Sequence, residues 1–196
     1  VRALGDRPQL LASCGRPSYA TTVRVVDEKG VDVPPGETGE VIFGGPHTMT
    51  EYFREPDRTE KVLINGWMHS GDVGRMDEEG YFYIVDRIKD LIIRGGYNLA
   101  PSEVEKVLYT HPAVLDAAVV GVPDEKWGEA VLAVVSLKPG MKATPDELLK
   151  VCKASTLSSI KQPERVEIVA EIPKNTIGKI DKKAVREKYW QGRRKV

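Results

Sequence analysis

Four stretches of the chain carry side chains whose types and spacing could do chemistry. Gly178-Lys179 ends the polar run 174–179, and a lysine beside glycine is a mobile point charge with little steric cover, suited to a phosphate or carboxylate oxygen. It is not the Gly-Lys of a phosphate-binding P-loop, because Pro173 occupies the first glycine position and Ile180 follows the lysine. Asp72 follows Gly71 at an expected strand boundary, where a carboxylate points away from the sheet and can be approached. Arg94-Gly95-Gly96-Tyr97-Asn98 reads as a turn in which two glycines allow positive φ and close approach by a backbone or a ligand. Asp86-Arg87-Ile88-Lys89-Asp90 interrupts two apolar runs, 81–85 and 91–93, and reads as a joint between folded parts. Taken singly, each stretch has a plainer alternative: a solvated loop lysine, a linker, an ordinary β-turn. Ser70 lacks a nucleophile elbow and His47, His69 and His111 are unclustered, so no Ser/His/Asp arrangement is credible. The single RGG at 94–96, without aromatic repeats, argues against RNA binding.

The elements that must position these residues change period at the joint. Before it, residues 20–27 and 39–43 are β-branched or alternating strand segments set off by Glu28-Lys29-Gly30, Pro34-Pro35-Gly36-Glu37 and Gly44-Gly45-Pro46. Residues 55–64 suit a short helix, and 73–76 and 81–85 a hairpin around Asp77-Glu78-Glu79-Gly80. Short strands punctuated in this way predict a small barrel or sandwich. After the joint, Ser102 and Glu105 match a capping box ahead of Val104, Val107 and Leu108, and His111-Pro112 stops that helix. Strands are expected at 114–122, with Pro123-Asp124 as its turn, at 130–137 and at 166–169. Thr144-Pro145-Asp146-Glu147 is a second capping box opening a helix that buries Leu148, Leu149 and Cys152, and a last helix starts at Asp181. The fold class is therefore α+β. Residues 1–85 form a β-rich, barrel-like part, 86–90 the joint, and 91–196 a small α+β domain with a three-stranded sheet and flanking helices.

Composition sets bounds on partners. The chain has 196 residues, and its 29 basic against 29 acidic side chains give no global field to recruit nucleic acid or an anionic membrane. The basic tail Arg193-Arg194-Lys195 is short and reads as solvated. Cys14 and Cys152 belong to no CxxC, which argues against a disulfide framework or a zinc site and for a reducing, cytoplasmic setting. No apolar run approaches the ~20 residues that cross a bilayer. The start at Val1, within loop-like sequence, suggests a fragment.

Taken together the stretches form a pattern. Gly39-Glu40, GWMHSGD at 66–72, DRIKD at 86–90, GGYNLAPSEVE at 95–105, VVGVPDEKWGE at 119–129 and PKNTIGK at 173–179 resemble, in order and spacing, the adenylate-forming superfamily. Its acyl-CoA and aryl-CoA ligases are the branch most similar to the loop from Gly95 to Pro101. The resemblance spans about residues 18–188 and covers only the family's C-terminal third. Nothing here resembles its phosphate loop, adenine-binding segment or acyl pocket.

The resemblance implies an AMP-forming ligase that activates a small-molecule carboxylic acid with ATP and Mg2+ and transfers it to coenzyme A, in the complete protein. It implies that Asp72 accepts hydrogen bonds from both ribose hydroxyls and that Arg87 also reaches the nucleotide. Asp86 and Lys89 would form the hinge. Lys179 would be the catalytic lysine between carboxylate and α-phosphate, and Gly95, Gly96 and Tyr97 would line the CoA channel. No metal ligand is expected in this stretch. Ser70 stands where threonine is commoner and Ile160 where tyrosine is usual before lysine. Residues 1–85 would leave apolar surface exposed unless they pack on themselves or form a homodimer. Two alternatives remain: a non-CoA acceptor, such as a carrier-protein thiol or, as in the similar luciferases, oxygen; or a non-catalytic module that binds nucleotide or a partner.

Overall fold

The computed structural model describes residues 7–191, so Val1 and the tail Arg193-Arg194-Lys195 lie outside the described residues. Two compact units meet at Lys89 and Asp90.

The first unit is built on β4 (Trp67–Met76), the longest strand of its sheet. On one side β4 pairs antiparallel with β2 (Thr38–Gly44), which pairs in turn with β1 (Thr22–Val26). Its other side is shared by β3 (Leu63–Ile64) and β5 (Phe82–Arg87). No ladder joins β1 to β5 among the described residues, so the expected barrel-like part is one open antiparallel sheet. The expected helix is α1 (Pro56–Val62), shorter than the sequence suggested because Leu63 and Ile64 join the sheet. Asn65 and Gly66, at φ +51° and +81°, connect β3 to β4 as a two-residue hairpin turn with both φ positive, the twist that adjacent strands favour. The core of this unit is small: Val25, Val41 and Phe82, with Val23, Val33 and Met76 packed against them.

The second unit has ten-residue β9 (Gly128–Leu137) at its centre, paired antiparallel with β8 (Val114–Asp124). The other edge of β9 is shared by two partners. The third expected strand, β10 (Arg165–Val169), runs parallel to its second half, and β6 (Ile92–Arg94), hairpinned to β7 (Tyr97–Leu99), meets it at Gly128. The three strands read from sequence are thus joined by two more, making a mixed five-stranded sheet. Helices cover both faces. Val119, Val131, Ala133 and Val135 pack with Val104 and Leu108 of α2 (Pro101–Leu108) and Leu148 and Cys152 of α3 (Pro145–Lys153). Ala118, Val120, Leu132 and Val134 pack on the opposite face with Ile172 and with Val185 of α4 (Lys182–Glu187). Burial on both faces explains why β8 and β9 read as nearly continuous apolar runs rather than alternating ones.

Local expectations are met at α3, where Thr144 and Glu147 cap each other's backbone N–H at 3.3 and 2.7 Å. They fail at α2. That helix starts at Pro101 with Ala100 as its N-cap residue, so Ser102 already lies inside the first turn rather than at the N-cap position a capping box requires. Glu105 serves another purpose. β8 is an edge strand, and its outward backbone groups are met by side chains. Val119 N–H donates to Glu105 Oε1 at 2.8 Å, Ala117 N–H to the Tyr109 hydroxyl at 3.1 Å, and Trp190 Nε1–H to Gly121 O at 2.9 Å. β8 also continues through Pro123, where a turn was expected. Alternation along the strand puts residue 123 on the same outward side, where a missing N–H costs no ladder bond.

Lys182 Nζ lies 2.9 Å from the same Glu105 oxygen, and these side chains are only 18% and 14% exposed. Glu105→Ala strands both the Val119 N–H and a largely buried ammonium. It is expected to cost about 3–5 kcal/mol in denaturant unfolding, with part of that loss recovered when Lys182→Met is added. Burial also pushes the Cys152 thiol up to about 11. Cys14 is exposed, so a thiol reagent at neutral pH is expected to label Cys14 at once and Cys152 only on unfolding. Because the folded-state value lies above the ordinary value of 9.0, the stability tied to the neutral thiol is present below pH 9 and falls as pH rises toward 11.

Candidate functional site

Asp72 does not lie at a strand boundary as expected but inside β4, at a place where the strand is distorted. The β2–β4 register steps from Glu40↔Val73 to Ile42↔His69, so residues 70–72 of β4 bulge out, and Gly71 takes φ +72°. The bulge is fixed by side chains. Glu40 accepts from Gly71 N–H at 3.1 Å through Oε1 and lies 2.7 Å from His69 Nδ1 through Oε2. The Ser70 hydroxyl donates to Val41 O at 2.6 Å and accepts from Asp72 N–H at 3.0 Å. Across the sheet Asp72 sits on the same rung as Arg87, with Arg87 Nε 3.4 Å from Asp72 Oδ1. Two residues fifteen apart in sequence therefore form one site, in which a planar two-oxygen acceptor stands beside a cation and both remain reachable by solvent. Asp86 Oδ1 accepts from Arg87 N–H at 2.9 Å, and Lys89 lies in the single 3-10 turn Ile88–Asp90 that leads to the second unit.

The remaining site residues lie on two hairpins of the second unit. Gly95 and Gly96, at φ +57° and +84°, make the two-residue turn between β6 and β7, and Tyr97 is exposed on the return strand. Lys179 lies on a second hairpin, with a longer loop, between Lys174 and Ile180. There Asn175 Oδ1 accepts from the N–H groups of Ile177 and Lys179 at 3.1 and 3.0 Å, and Gly178 takes φ +78°. Lys179 itself is exposed. The hairpin is tethered at its base by Lys174, whose ammonium lies 2.9 Å from Asp116 Oδ2, and the hydrogen bond to that carboxylate holds the Lys174 pKa above its ordinary value.

The two hairpins attach at opposite ends of the β8–β9 ladder. Lys174 is tied to Asp116, opposite Ser136, whereas Arg94 meets Gly128, opposite Asp124. From residue 116 to 124 the strand advances roughly 25 Å at about 3.3 Å per residue. Glu40, Ser70, Asn175 and Asp116, which orient the site residues, carry no periodic signal. Among them only Asn175, two residues before Ile177 and four before Lys179, has the local spacing of an Asx turn. Among the described residues no group of three or more His, Cys, Asp or Glu is placed to hold a metal ion.

Ser70 gives a direct test of the bulge. Ser70→Ala removes one acceptor and one donor from partly buried partners and is expected to cost about 1–3 kcal/mol in chemical denaturation, while Ser70→Thr, which keeps the hydroxyl, stays close to wild type.

Comparison with known proteins follows the same division of the chain. Residues 2–53 match the family described as AMP-binding enzyme, and residues 103–179 match the AMP-binding enzyme C-terminal domain. A medium/long-chain-fatty-acid–CoA ligase of Mycobacterium tuberculosis is 44% identical over 97% of this chain and 34% of its own length. A fatty acid–[acyl-carrier-protein] ligase of Streptomyces coeruleorubidus is 43% identical over 92% of this chain and 35% of its own. The crystal structure of ATP-bound MatB from Rhodopseudomonas palustris superposes with a TM-score of 0.85 at 35% identity, over 91% of this chain and 36% of that one. The chain thus spans about a third of the length of the curated relatives it matches. With a match on either side of the joint, and relatives alike over nearly its whole length, the chain belongs to the adenylate-forming AMP-binding enzymes and corresponds to their C-terminal third.

Proposed function

We propose that this chain is the C-terminal part of an ATP-dependent carboxylic acid:CoA ligase, in which Asp72 and Arg87 bind the nucleotide, Lys179 serves adenylation, and Gly95, Gly96 and Tyr97 line the approach of the thiol. The observation that carries the reading is the attachment of the two hairpins at opposite ends of one ladder. A two-step reaction needs different groups at the same reacting carboxyl. In the first step the acid's carboxylate attacks the α-phosphorus of ATP and pyrophosphate leaves. In the second a thiol attacks the carbonyl of the acyl adenylate and AMP leaves. Hairpins attached roughly 25 Å apart along one ladder would serve one centre only by turns, which would account for a short charged joint at Asp86 and Lys89.

Each residue has a role that suits its surroundings. Asp72 presents a carboxylate whose backbone is locked by Ser70 and Glu40, and its two oxygens suit the vicinal hydroxyls of a ribose. Arg87, on the same rung, adds positive charge next to an anionic nucleotide. Lys179 projects from a hairpin whose shape Asn175 fixes, so its ammonium reaches outward to charge that grows on the phosphate oxygens. Mg2+ would accompany ATP, and no described residue is assigned to it. Coenzyme A fits the glycine turn, where backbone without Cβ allows a slender chain to approach closely.

A second reading keeps the same first step and changes the thiol carrier. The Streptomyces relative is named as a ligase for an acyl carrier protein, and a protein-borne thiol would use the same hairpin. Leu11, Tyr19, Val31 and Phe53 of the first unit are exposed large apolar side chains, which further chain or a second copy would cover. No helix among the described residues is long and apolar enough to cross a membrane.

The test is acid-dependent pyrophosphate release from the whole protein, with a panel of carboxylic acids, followed by thioester formation with CoA or a carrier protein. Lys179→Ala is expected to lower pyrophosphate release by on the order of 10²-fold or more. The same variant, supplied with preformed acyl adenylate, is expected to form thioester at nearly the wild-type rate. Undiminished pyrophosphate release by Lys179→Ala would overturn the assignment.

A further inference from the structure

The Gly95–Gly96 hairpin is held from below by a segment to which the sequence reading gave no function, Trp127-Gly128-Glu129. Gly95 N–H donates to Trp127 O at 2.8 Å, and the Trp127 ring lies so close that a Cβ on Gly95 would stand 2.8 Å from its Cε3. Ile93 N–H donates to Glu129 Oε2 at 3.3 Å. The Glu129 carboxylate is buried, and it fits only because residue 121 is glycine, since a Cβ there would collide with it. Between these contacts the Arg94 side chain, also buried, reaches Ile160 O at 3.2 Å and pairs with Glu164, its guanidinium 5.7 Å from the Trp127 ring centroid. Every contact falls on the first strand of the hairpin or on Gly95. Gly96 has nothing within 4 Å of where its Cβ would be, and Tyr97 is exposed. One side of the turn is clamped while the other is left open to a ligand.

We propose that Trp127 is a positioning residue for the thiol-transfer step: its ring sets the height and orientation of the Gly95–Gly96 turn and so the width of the passage beside Tyr97. This inference rests on the function proposed above. The alternative, a purely structural contact, fits the geometry poorly. Trp127 is 39% exposed and the core residues on either side of the sheet do not include it. A large aromatic ring kept partly in solvent under a glycine that cannot accept a Cβ constrains the loop more than it adds to the core.

The experiment compares wild type, Trp127→Ala and Trp127→Phe in the whole protein, measuring acid-dependent pyrophosphate release and, separately, thioester formation from preformed acyl adenylate at varied CoA or carrier-protein concentration. Trp127→Ala is expected to lower kcat/KM for the thiol substrate by about 10²-fold, mostly through KM, and to leave pyrophosphate release within about twofold. Trp127→Phe, which keeps a ring under Gly95, is expected to restore most of the loss. Equal losses in both steps, or none in the thiol step, would overturn the positioning role while leaving the ligase reading intact. Wild-type protein that forms no thioester with either thiol source would overturn both.

Discussion

The second unit depends on satisfying the open edge of β8. That strand is buried on both faces and bonded to β9 along one side only, so its outer N–H and C=O groups would be costly if left without partners. The fold meets this constraint with side chains from helices on both faces of the sheet. Tyr109, just past α2, takes the Ala117 N–H; Glu105 within α2 takes the Val119 N–H; and Trp190, beyond α4, donates to Gly121 O. Because Lys182 pairs with that same Glu105, the start of α4 is tied to α2 through the strand edge. The hairpin that carries Lys179 ends directly before α4, with Asp181 N–H donating to Pro173 O, so its placement inherits this fastening.

The same economy of anchoring recurs at each site residue. Short functional segments are held by buried or half-buried polar groups supplied from another strand: Glu40 for the bulge before Asp72, Asp116 for the Lys179 hairpin, Glu129 for the Gly95 hairpin. In each case a carboxylate on a strand binds a backbone N–H or ammonium of a bulge or of a hairpin. The pattern has a physical reason. Loops have too little apolar surface to be fixed by packing, whereas a charge-assisted hydrogen bond out of water is directional and strong. The glycines complete the design by removing side chains where backbones must bend or approach, as at Gly71 and Gly121.

Much of this was legible in the sequence, and what was not has identifiable causes. The apolar runs gave away β8 and β9 because burial on both faces leaves no polar alternation, β10 showed through its β-branched Val166, Ile168 and Val169, and Thr144 to Glu147 announced α3 because both halves of its cap are local. The box at Ser102 misled because Pro101, a favoured first helical residue, had already begun the helix and Glu105 was engaged by a strand. The length of β4 was hidden because His69-Ser70-Gly71-Asp72 has neither the alternation nor the β-branched residues of a strand; long-range pairing to β2 holds it extended. For the site, motif order pointed to Asp72, Arg87, Gly95 and Lys179 individually. That Asp72 and Arg87 share a rung, and that the two hairpins sit at opposite ends of a ladder, follow from register, which no local pattern encodes.

The distribution of stiffness bears on how such a chain would work. The Gly95 turn, in spite of its two glycines, is among the better fastened loops of the second unit, held by two backbone N–H donations, a buried arginine and an aromatic ring. The Lys179 hairpin has a fixed shape of its own through Asn175. If both loops hold their shape, attached as they are roughly 25 Å apart along one ladder, neither gains access to a common centre by local loop motion. Any exchange between them has to be made by the second unit as a body. The backbone available for that exchange is the short run 86–90, which is charged and half exposed; Asp86 and Arg87 close β5, and beyond them only a single 3-10 turn precedes the sheet of the second unit.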